Sequence, residues 1–521
     1  MSIKRTLARN TAFNAAGRLW DAALTLVLTP YIVNRIGWEA WGLWALIGSL
    51  TGYVGLLDLG MGSGLSKFIA EHAAKGDRKA LSSVVSTAFF FYAGFGALLV
   101  AAGWPLCGAA IEAFAAWRGG EPAVAADAVF LARGSILLYA ASMAIVPFMA
   151  VQTGLQRMGV ANAVSGAASI IKAAAIVTLL ELHTGVRGLI YANSASTLFV
   201  ALAGVVAAYA LAPGLRVSPS GISRETFSTL FAFGWRAQVA RLCNLVMLET
   251  DRVIVGFVFG LTAAGLYRAG EEIANKLRQV PVLVYSAIVP AASDLDARGD
   301  VERLRGLYLR VSKYGAAVAV PMLLFGGASA GMIMRVWFGQ EEGLDTAAWV
   351  LQIIAIGHLV NVLAGAGVSI ALGKGRVDVQ MIPGLISAGA NIVLTVVFVQ
   401  VVGFYGVPVA TTMAMFLGWA WLLRAMGSIV GLRGTRTVRK SLLWPLVAAL
   451  PGIAVCAAAD IYTSGWSGRL LNGGALLVCL STAGVIYASL LQAAPFWDAT
   501  DRGLFGSLRG TGSENKMSGL N

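Results

Sequence analysis

Little in this chain could hold a metal ion or run covalent chemistry. Its three histidines, His72, His183 and His358, are scattered too widely along 521 residues to make a metal site. The four cysteines, Cys107, Cys243, Cys456 and Cys479, show no CxxC or other ligand spacing, and each lies in an apolar run. They read as small buried hydrophobes. Gly60-x-Gly62-x-Gly64 lacks the Lys-Ser/Thr pair that completes a phosphate loop, and its apolar setting fits close helix packing instead. No ATP-binding signature and no nucleophile–base constellation is found elsewhere. The sequence therefore predicts no catalytic residue, no metal and no cofactor. Charge is scarce too: Asp, Glu, Lys and Arg make up 12% of the chain, about half the ~25% of a soluble domain.

Apolar residues take up the difference. They account for 58% of the chain, with a mean hydropathy of +0.75 and 62 glycines. Glycine is common in membrane helices because it lets backbones approach closely. The basic N-terminus MSIKRTLARN runs into an apolar stretch too long for a signal-peptide core, and it is expected to stay as the first helix. A spanning helix needs about 20 mostly apolar residues. Such runs fall near 10–34, 41–66, 81–112, 126–152, 160–181, 187–211, 227–257, 262–291, 308–335, 345–372, 378–402, 406–426, 441–461 and 470–492. The expected fold is an all-α polytopic membrane protein of about fourteen transmembrane helices. A polar, Gly/Ser-rich tail over 493–521 is expected to be disordered and cytoplasmic.

The net charge of +13 is mostly a topology signal. With the N-terminus in the cytoplasm, about 25 Lys and Arg residues fall in cytoplasmic segments, against Arg35, Arg118, Arg187, Arg335 and Arg469 on the other side. The positive-inside rule needs far less to fix orientation, and it puts both termini in the cytoplasm. These cations are spread over many short loops, so a nucleic-acid partner is not required.

The chain also reads as written twice. A shift of 223 places Gly37-x4-Gly42-Leu43-Trp44 on Gly260-x4-Gly265-Leu266-Tyr267, and Lys75-Gly76-Asp77 on Arg298-Gly299-Asp300. Arg18 then falls on Arg241, and a shift of about 218 places Gly185-x2-Gly188 on Gly403-x2-Gly406. The expected domains are a six-helix bundle over 1–212, a cytoplasmic linker over 213–225, a second six-helix bundle over 226–430, and two additional helices over 431–492. An even number of helices per repeat keeps both halves in one orientation, as in carriers with a central cavity between rocking lobes.

Charges inside such helices are costly, roughly 2.5–3.5 kcal/mol each at the bilayer centre on insertion scales. Their spacing is informative. Arg18, Asp21 and Thr25 share one face of the first helix, and Ser165, Ser169 and Lys172 one face of the fifth. The seventh offers Arg236, Gln238 and Arg241, the eighth Arg268, Glu271, Glu272, Lys276 and Arg278, and the fourth Arg133. Polar stripes on several helices must face one another or a shared aqueous cavity. The candidate substrate-binding cations are Arg18, Arg133, Lys172, Arg236, Arg241, Arg268 and Lys276; the candidate coupling acids are Asp21, Asp58, Glu271 and Glu272. Cations outnumber acids, which favours an anion, and arginine suits phosphate. Arg241 has no acid at helical spacing before Glu249, which makes it the strongest single candidate.

At VGLLDLGMGSGLSKFIAEHAAKGDR, positions 54–78, the sequence resembles the Wzx-type polysaccharide flippases of the MATE/MOP superfamily. NTAFNAAGRLWDAALTLVLTPYIVNRIGW, at 10–38, and GLYRAGEEIANKLRQVPV, at 265–282, are similar to the same family. The resemblance implies two six-helix bundles around a central cavity, often with two extra helices. It implies a flippase of the bacterial inner membrane that moves undecaprenyl-pyrophosphate-linked oligosaccharide outward for O-antigen, capsule or exopolysaccharide synthesis. Partners would be that lipid-linked substrate, membrane lipids, a polysaccharide polymerase and other assembly proteins. The family's cationic cavity maps by position onto Arg18 and Arg241. Alternatives are a cation-coupled multidrug exporter of the same superfamily, which calls for an acidic cavity, a lipid II flippase, and a membrane scaffold.

Overall fold

The computed structural model describes residues 3–498 and Asp501, apart from positions 59, 119–120, 284, 286–287, 377 and 433. The side chains at 3–16, 18–19, 57, 63, 117–118, 236–237, 240 and 283 also lie outside the described set. Seventeen α-helices and no strand are found among the described residues. Among the described residues, nine helical stretches are long and apolar enough to cross a membrane, the longest being two helices in succession over Asp378–Val430.

Two compact units make up the chain. The first comprises Met1–Ala269 and Asn391–Val407, the second Gly270–Ala390 and Pro408–Asn521. In the first unit, α1 (Ile3–Val54) has two arms that meet at Gly37, whose φ of 81° is outside helical space. A side chain would strain that conformation, so glycine sets the corner. A short 3₁₀ turn, Gly55–Asp58, leads to α2 (Gly62–Ala74), where the sequence predicts one helix running to 66. The break has a local cause. Asp58 Oδ1 accepts the backbone N–H of Gly60 at 2.7 Å, and Gly60 takes φ 70° with its backbone against that of Gly234. There follow α3 (Arg78–Arg118), α4 (Pro122–Gly154), α5 (Met158–Glu181), α6 (Arg187–Leu211) and α7 (Arg224–Phe259). The Ser223 side chain caps α7 by accepting from Thr226 N–H.

The helix α8 (Leu261–Leu283) begins in the first unit and continues in the second. The second unit goes on with α9 (Ile288–Ala297), α10 (Val301–Ala328), α11 (Ala330–Phe338), α12 (Leu344–Gly373), α13 (Asp378–Val402) and α14 (Gly406–Val430). It ends with α15 (Gly434–Ser441), α16 (Leu443–Tyr462) and α17 (Arg469–Ala493). Gly452 of α16 packs on Phe325, and the Tyr487 hydroxyl of α17 donates to the Ala317 carbonyl at 2.9 Å, so both helices share a core with α10. Positions 499–500 and 502–521 of the expected tail lie outside the described residues. Phe496 is buried in the same core, and Asp501 binds Lys313 and Tyr314 of α10.

The landmarks of the sequence repeat recur in the backbone. Gly37 and Gly260 have nearly equal dihedrals, φ 81°, ψ 167° and φ 96°, ψ 172°. Gly76 and Gly299 both have φ 68°. Around them the hydrogen bonds match one for one. Asp77 N–H donates to His72 O and Asp300 N–H to Leu295 O, while Asp77 and Asp300 carboxylates accept from Ala80 and Arg303 N–H. A further pair is invisible to that alignment: the turns after α4 and α12 close alike, on Gln156 with φ 56° and Gly375 with φ 71°.

Candidate functional site

Within the first unit, α1, α5, α6 and α8 enclose a cavity of about 380 Å³. Helical spacing puts Asp21, Thr25 and Thr29 of the first arm of α1 on its wall. The corner at Gly37 turns the second arm back, so Trp41 and Trp44, three residues apart, line the same space. Ser169 and Lys172 enter from α5 and Asn193 from α6.

Arg268 reaches the cavity because α8 comes very close to α1. Gly42 has no room for a Cβ against the Leu261 carbonyl, and a Cβ on Gly265 would lie 2.7 Å from the Trp38 carbonyl oxygen. The contact is reciprocal, since positions 38 and 261, and 42 and 265, are related by the repeat. It sets the Arg268 guanidinium 4.8 Å from the centre of the Trp41 ring, a cation–π arrangement.

The charges in the cavity are Asp21, Lys172 and Arg268, leaving it positive by one. The Ser169 hydroxyl donates to Asp21 Oδ1 at 2.9 Å. Lys172 forms no ion pair within 4.0 Å among the described residues. The indole Nε1 of Trp41, a residue 5% exposed, is buried without a hydrogen-bond partner among them. Such a donor loses its water without a replacement, a cost that a ligand can offset.

The remaining predicted residues stand elsewhere. Arg241 does have an acid: Asp58, from the 3₁₀ turn, pairs with it at 3.0 Å, with the arginine side chain 53% exposed and the aspartate 13%. Gln238, one turn before Arg241, donates to the Leu56 carbonyl and fixes the same turn. Arg133 donates to the Trp104 carbonyl at 3.1 Å and lies over the Trp104 ring. Glu249 pairs with Arg252 at 2.8 Å and accepts from Ser49. Buried Asp251 accepts from the Tyr267 hydroxyl at 2.7 Å. In the second unit, Lys276 pairs with Glu272 at 3.2 Å, Asn275 donates to buried Glu271 at 3.4 Å, and Arg278 donates to Asn361 at 3.1 Å. Arg18 and Arg236 lie on α1 and α7, with side chains outside the described residues. Of the described candidates, the cavity thus gathers Asp21, Lys172 and Arg268. Sequence reasoning missed Trp41, Trp44 and Asn193; the Trp pair just past the corner glycine was the available signal.

What the arrangement offers is a compact, partly desolvated anion site with an aromatic wall and one carboxylate. It contains no base–nucleophile pair among its lining residues. A family model described as polysaccharide biosynthesis protein matches residues 7–296, more than half the chain. A Shigella flexneri protein that carries the name O-antigen transporter is 24% identical over 379 residues, covering 71% of this chain and 86% of that one. Among solved structures, the lipid II flippase MurJ in an inward closed conformation matches with a TM-score of 0.66 at 14% identity, over 92% of this chain and 99% of MurJ. An inward-facing multidrug resistance MATE transporter of the MOP superfamily matches with a TM-score of 0.64 at 17% identity, over 81% of this chain and 95% of that one. The chain therefore belongs to the polysaccharide biosynthesis protein family and is a multi-pass membrane protein with the MOP-superfamily fold.

Proposed function

We propose that this protein flips undecaprenyl-pyrophosphate-linked oligosaccharide from the cytoplasmic to the periplasmic leaflet of a bacterial inner membrane. The product would feed assembly of O-antigen, capsule or exopolysaccharide. The observation that carries the reading is the net-positive cavity of Lys172, Arg268, Trp41 and Asp21, in a chain of a polysaccharide-biosynthesis family.

The pyrophosphate is the part of that substrate hardest to carry through a bilayer, because its charges lose water. Lys172 and Arg268 would supply replacement partners, with Arg18, Arg236 and Arg241 as further basic stations along α1 and α7. The lipid tail needs no site, since it remains in hydrocarbon throughout. Alternating access between two six-helix repeats, with the two arms of α1 and the charged helices α7 and α8 counted among about fourteen spans, would move the headgroup. Of the four candidate coupling acids, Asp21 lines the cavity, whereas Asp58 is held by Arg241. Both termini would be cytoplasmic, and a polymerase would take the product at the periplasmic face.

Deleting the gene should cause lipid-linked precursor to accumulate in the cytoplasmic leaflet and surface polymer to disappear. Wild type should restore polymer; Lys172→Ala and Arg268→Ala should insert normally and fail to restore it. Unchanged polymer in a strain with no second flippase would sink the reading. Drug resistance on overexpression would instead favour a multidrug exporter, and rescue of a strain depleted of its peptidoglycan-precursor flippase would favour lipid II.

A further inference from the structure

Asp21 is the residue that a plain anion site does not call for. A carboxylate beside Lys172 and Arg268 weakens the hold on any bare anion, by like-charge repulsion at close range. Its geometry is nonetheless fixed: Ser169 donates to Oδ1 at 2.9 Å, and the Thr25 hydroxyl bonds back to the Asp21 carbonyl at 2.7 Å. One carboxylate oxygen is thus engaged by a protein donor, and Oδ2 accepts from none among the described residues. On the same wall Trp41 brings a buried indole N–H without a partner among the described residues, and Lys172 an ammonium without an ion pair among them. The lining therefore offers an ammonium without an ion pair among the described residues and a spare acceptor in one cavity, with Trp44 as apolar surface and the Asn193 amide as a mixed group. A phosphate uses donors only. A sugar uses both, and its C–H face fits an indole. Ligands that match all of these have a phosphate bonded directly to a sugar ring.

We infer that this cavity, whose assignment rests on the flippase reading, holds the junction between the phosphate and the first sugar of the headgroup. Lys172 and Arg268 take phosphate oxygens. The Trp41 ring, against which the Arg268 guanidinium lies, holds that cation in place. Asp21 accepts a hydroxyl of the first sugar and is the residue that makes the site choose a glycosyl phosphate over a bare phosphate. A volume of about 380 Å³ has room for one sugar and its phosphate.

The test is calorimetric binding to the full-length protein in nanodiscs of phosphatidylcholine, with inorganic phosphate, a hexose 1-phosphate, the free hexose and glycerol 3-phosphate as probes. The hexose 1-phosphate should bind at least tenfold tighter than inorganic phosphate, a difference one well-placed hydrogen bond to a charged group supports. Asp21→Asn should bring that ratio close to one while leaving phosphate affinity equal or higher. Trp41→Phe, which keeps a ring of similar packing, should weaken both phosphates several-fold, and Lys172→Ala should abolish both. Equal affinity of wild type for phosphate and hexose 1-phosphate would overturn the proposal. So would an Asp21→Asn variant that tightens both ligands equally, since the acid would then be only a counter-ion to Lys172. Glycerol 3-phosphate matching the hexose ester would point to a phospholipid headgroup and also overturn it. Export enters none of these readouts. Sugar discrimination with unaltered surface polymer in the deletion strain would reject the flippase reading and keep the site.

Discussion

The repeat allows the two units to be compared helix for helix, and they differ in what covers them. The turn at Gly76 precedes α3 as the turn at Gly299 precedes α10, and the turns at Gln156 and Gly375 end α4 and α12 alike. Within their most apolar stretches, 39% of α3 and of α4 is buried, against 56% of α10 and 61% of α12. The helices α16 and α17 add cover to α10, laying Gly452 against Phe325 and tying Tyr487 to the α10 backbone, while α12 packs on α9, α10 and α11. The same backbone plan thus yields less buried α3 and α4 in the first unit and more buried α10 and α12 in the second. Both units hold closed ion pairs, and the contrast is between those pairs and one lysine. In the second unit Arg335 pairs with Asp460 at 2.7 Å and Lys276 with Glu272 at 3.2 Å. In the first, Lys172 is left with no ion pair among the described residues. Closed pairs hold a structure; an open ammonium waits for a ligand.

The largest effect that would test this contrast is on export. Lys172→Ala should lower it by more than tenfold, the equivalent of losing about 1.4 kcal/mol or more of binding. Lys276→Ala, which opens a pair in the second unit, should lower it by less than about threefold, because Glu272 already neutralises that ammonium. Quantifying surface polymer in deletion strains carrying each variant at matched expression decides the matter. Equal losses would erase the distinction between open and closed charges.

Next in size is the close approach that brings Arg268 to the cavity. Gly42→Val would drive its side chain into the Leu261 backbone, a strain of about 3 kcal/mol by analogy with overpacked cores. A lowered unfolding temperature in detergent should accompany lost export. Gly389→Val in α13, where no heavy atom stands near the would-be Cβ, should leave the unfolding temperature within a degree or two. Comparable damage at both sites would mean that the glycine contact is not what sets α8 on α1.

A third prediction probes the second unit. Arg335 and Asp460 are only 11% and 15% exposed, and Arg335 also donates to the Asp460 carbonyl and to Thr463. Arg335→Met strands a buried carboxylate and should cost about 3–5 kcal/mol of stability. The double variant Arg335→Met/Asp460→Leu should recover most of it. A double variant no better than the single would show that the pair contributes through its hydrogen bonds and not merely by mutual neutralisation.

Most helices are legible in the sequence because run length is a local property that a bilayer enforces on each segment separately. The corner glycines are legible too, since positive φ selects glycine at Gly37 and Gly260 alike. Asp21, Lys172 and Arg268 announced themselves as charges in apolar runs. What was not legible depends on distant residues meeting. Arg241 has no acid nearby in sequence, yet Asp58 reaches it across 183 positions. The helix expected over 41–66 ends at Val54 because Asp58 and Gly60 bond locally and Gly60 must fit against Gly234. Composition could not show either. Trp41 and Trp44 look like ordinary apolar helix residues until the chain folds back at Gly37.

The smallest predicted effect concerns the end of the second unit, where Asp501 closes the segment after α17 onto α10. Burial alone would raise the Asp501 carboxyl, but hydrogen bonds from Lys313 and Tyr314 outweigh it and hold its pKa below the usual carboxylate range. A carboxyl whose pKa is depressed on folding adds stability that is fully present above its unfolded value, about 3.9, and is lost as pH falls through the lower folded value. Proteolysis just after α17 should therefore be slow at pH 7 and still slow at pH 5, and should accelerate only on titration below about pH 4. Asp501→Asn should remove the acid-dependent step and expose the segment modestly at every pH, with export nearly intact. Glu181 of α5, which accepts from Tyr31 and Arg35 of α1, ties the first unit in a similar way, so acid-induced loosening that begins there instead would place the weak point of the molecule on the opposite side of the comparison.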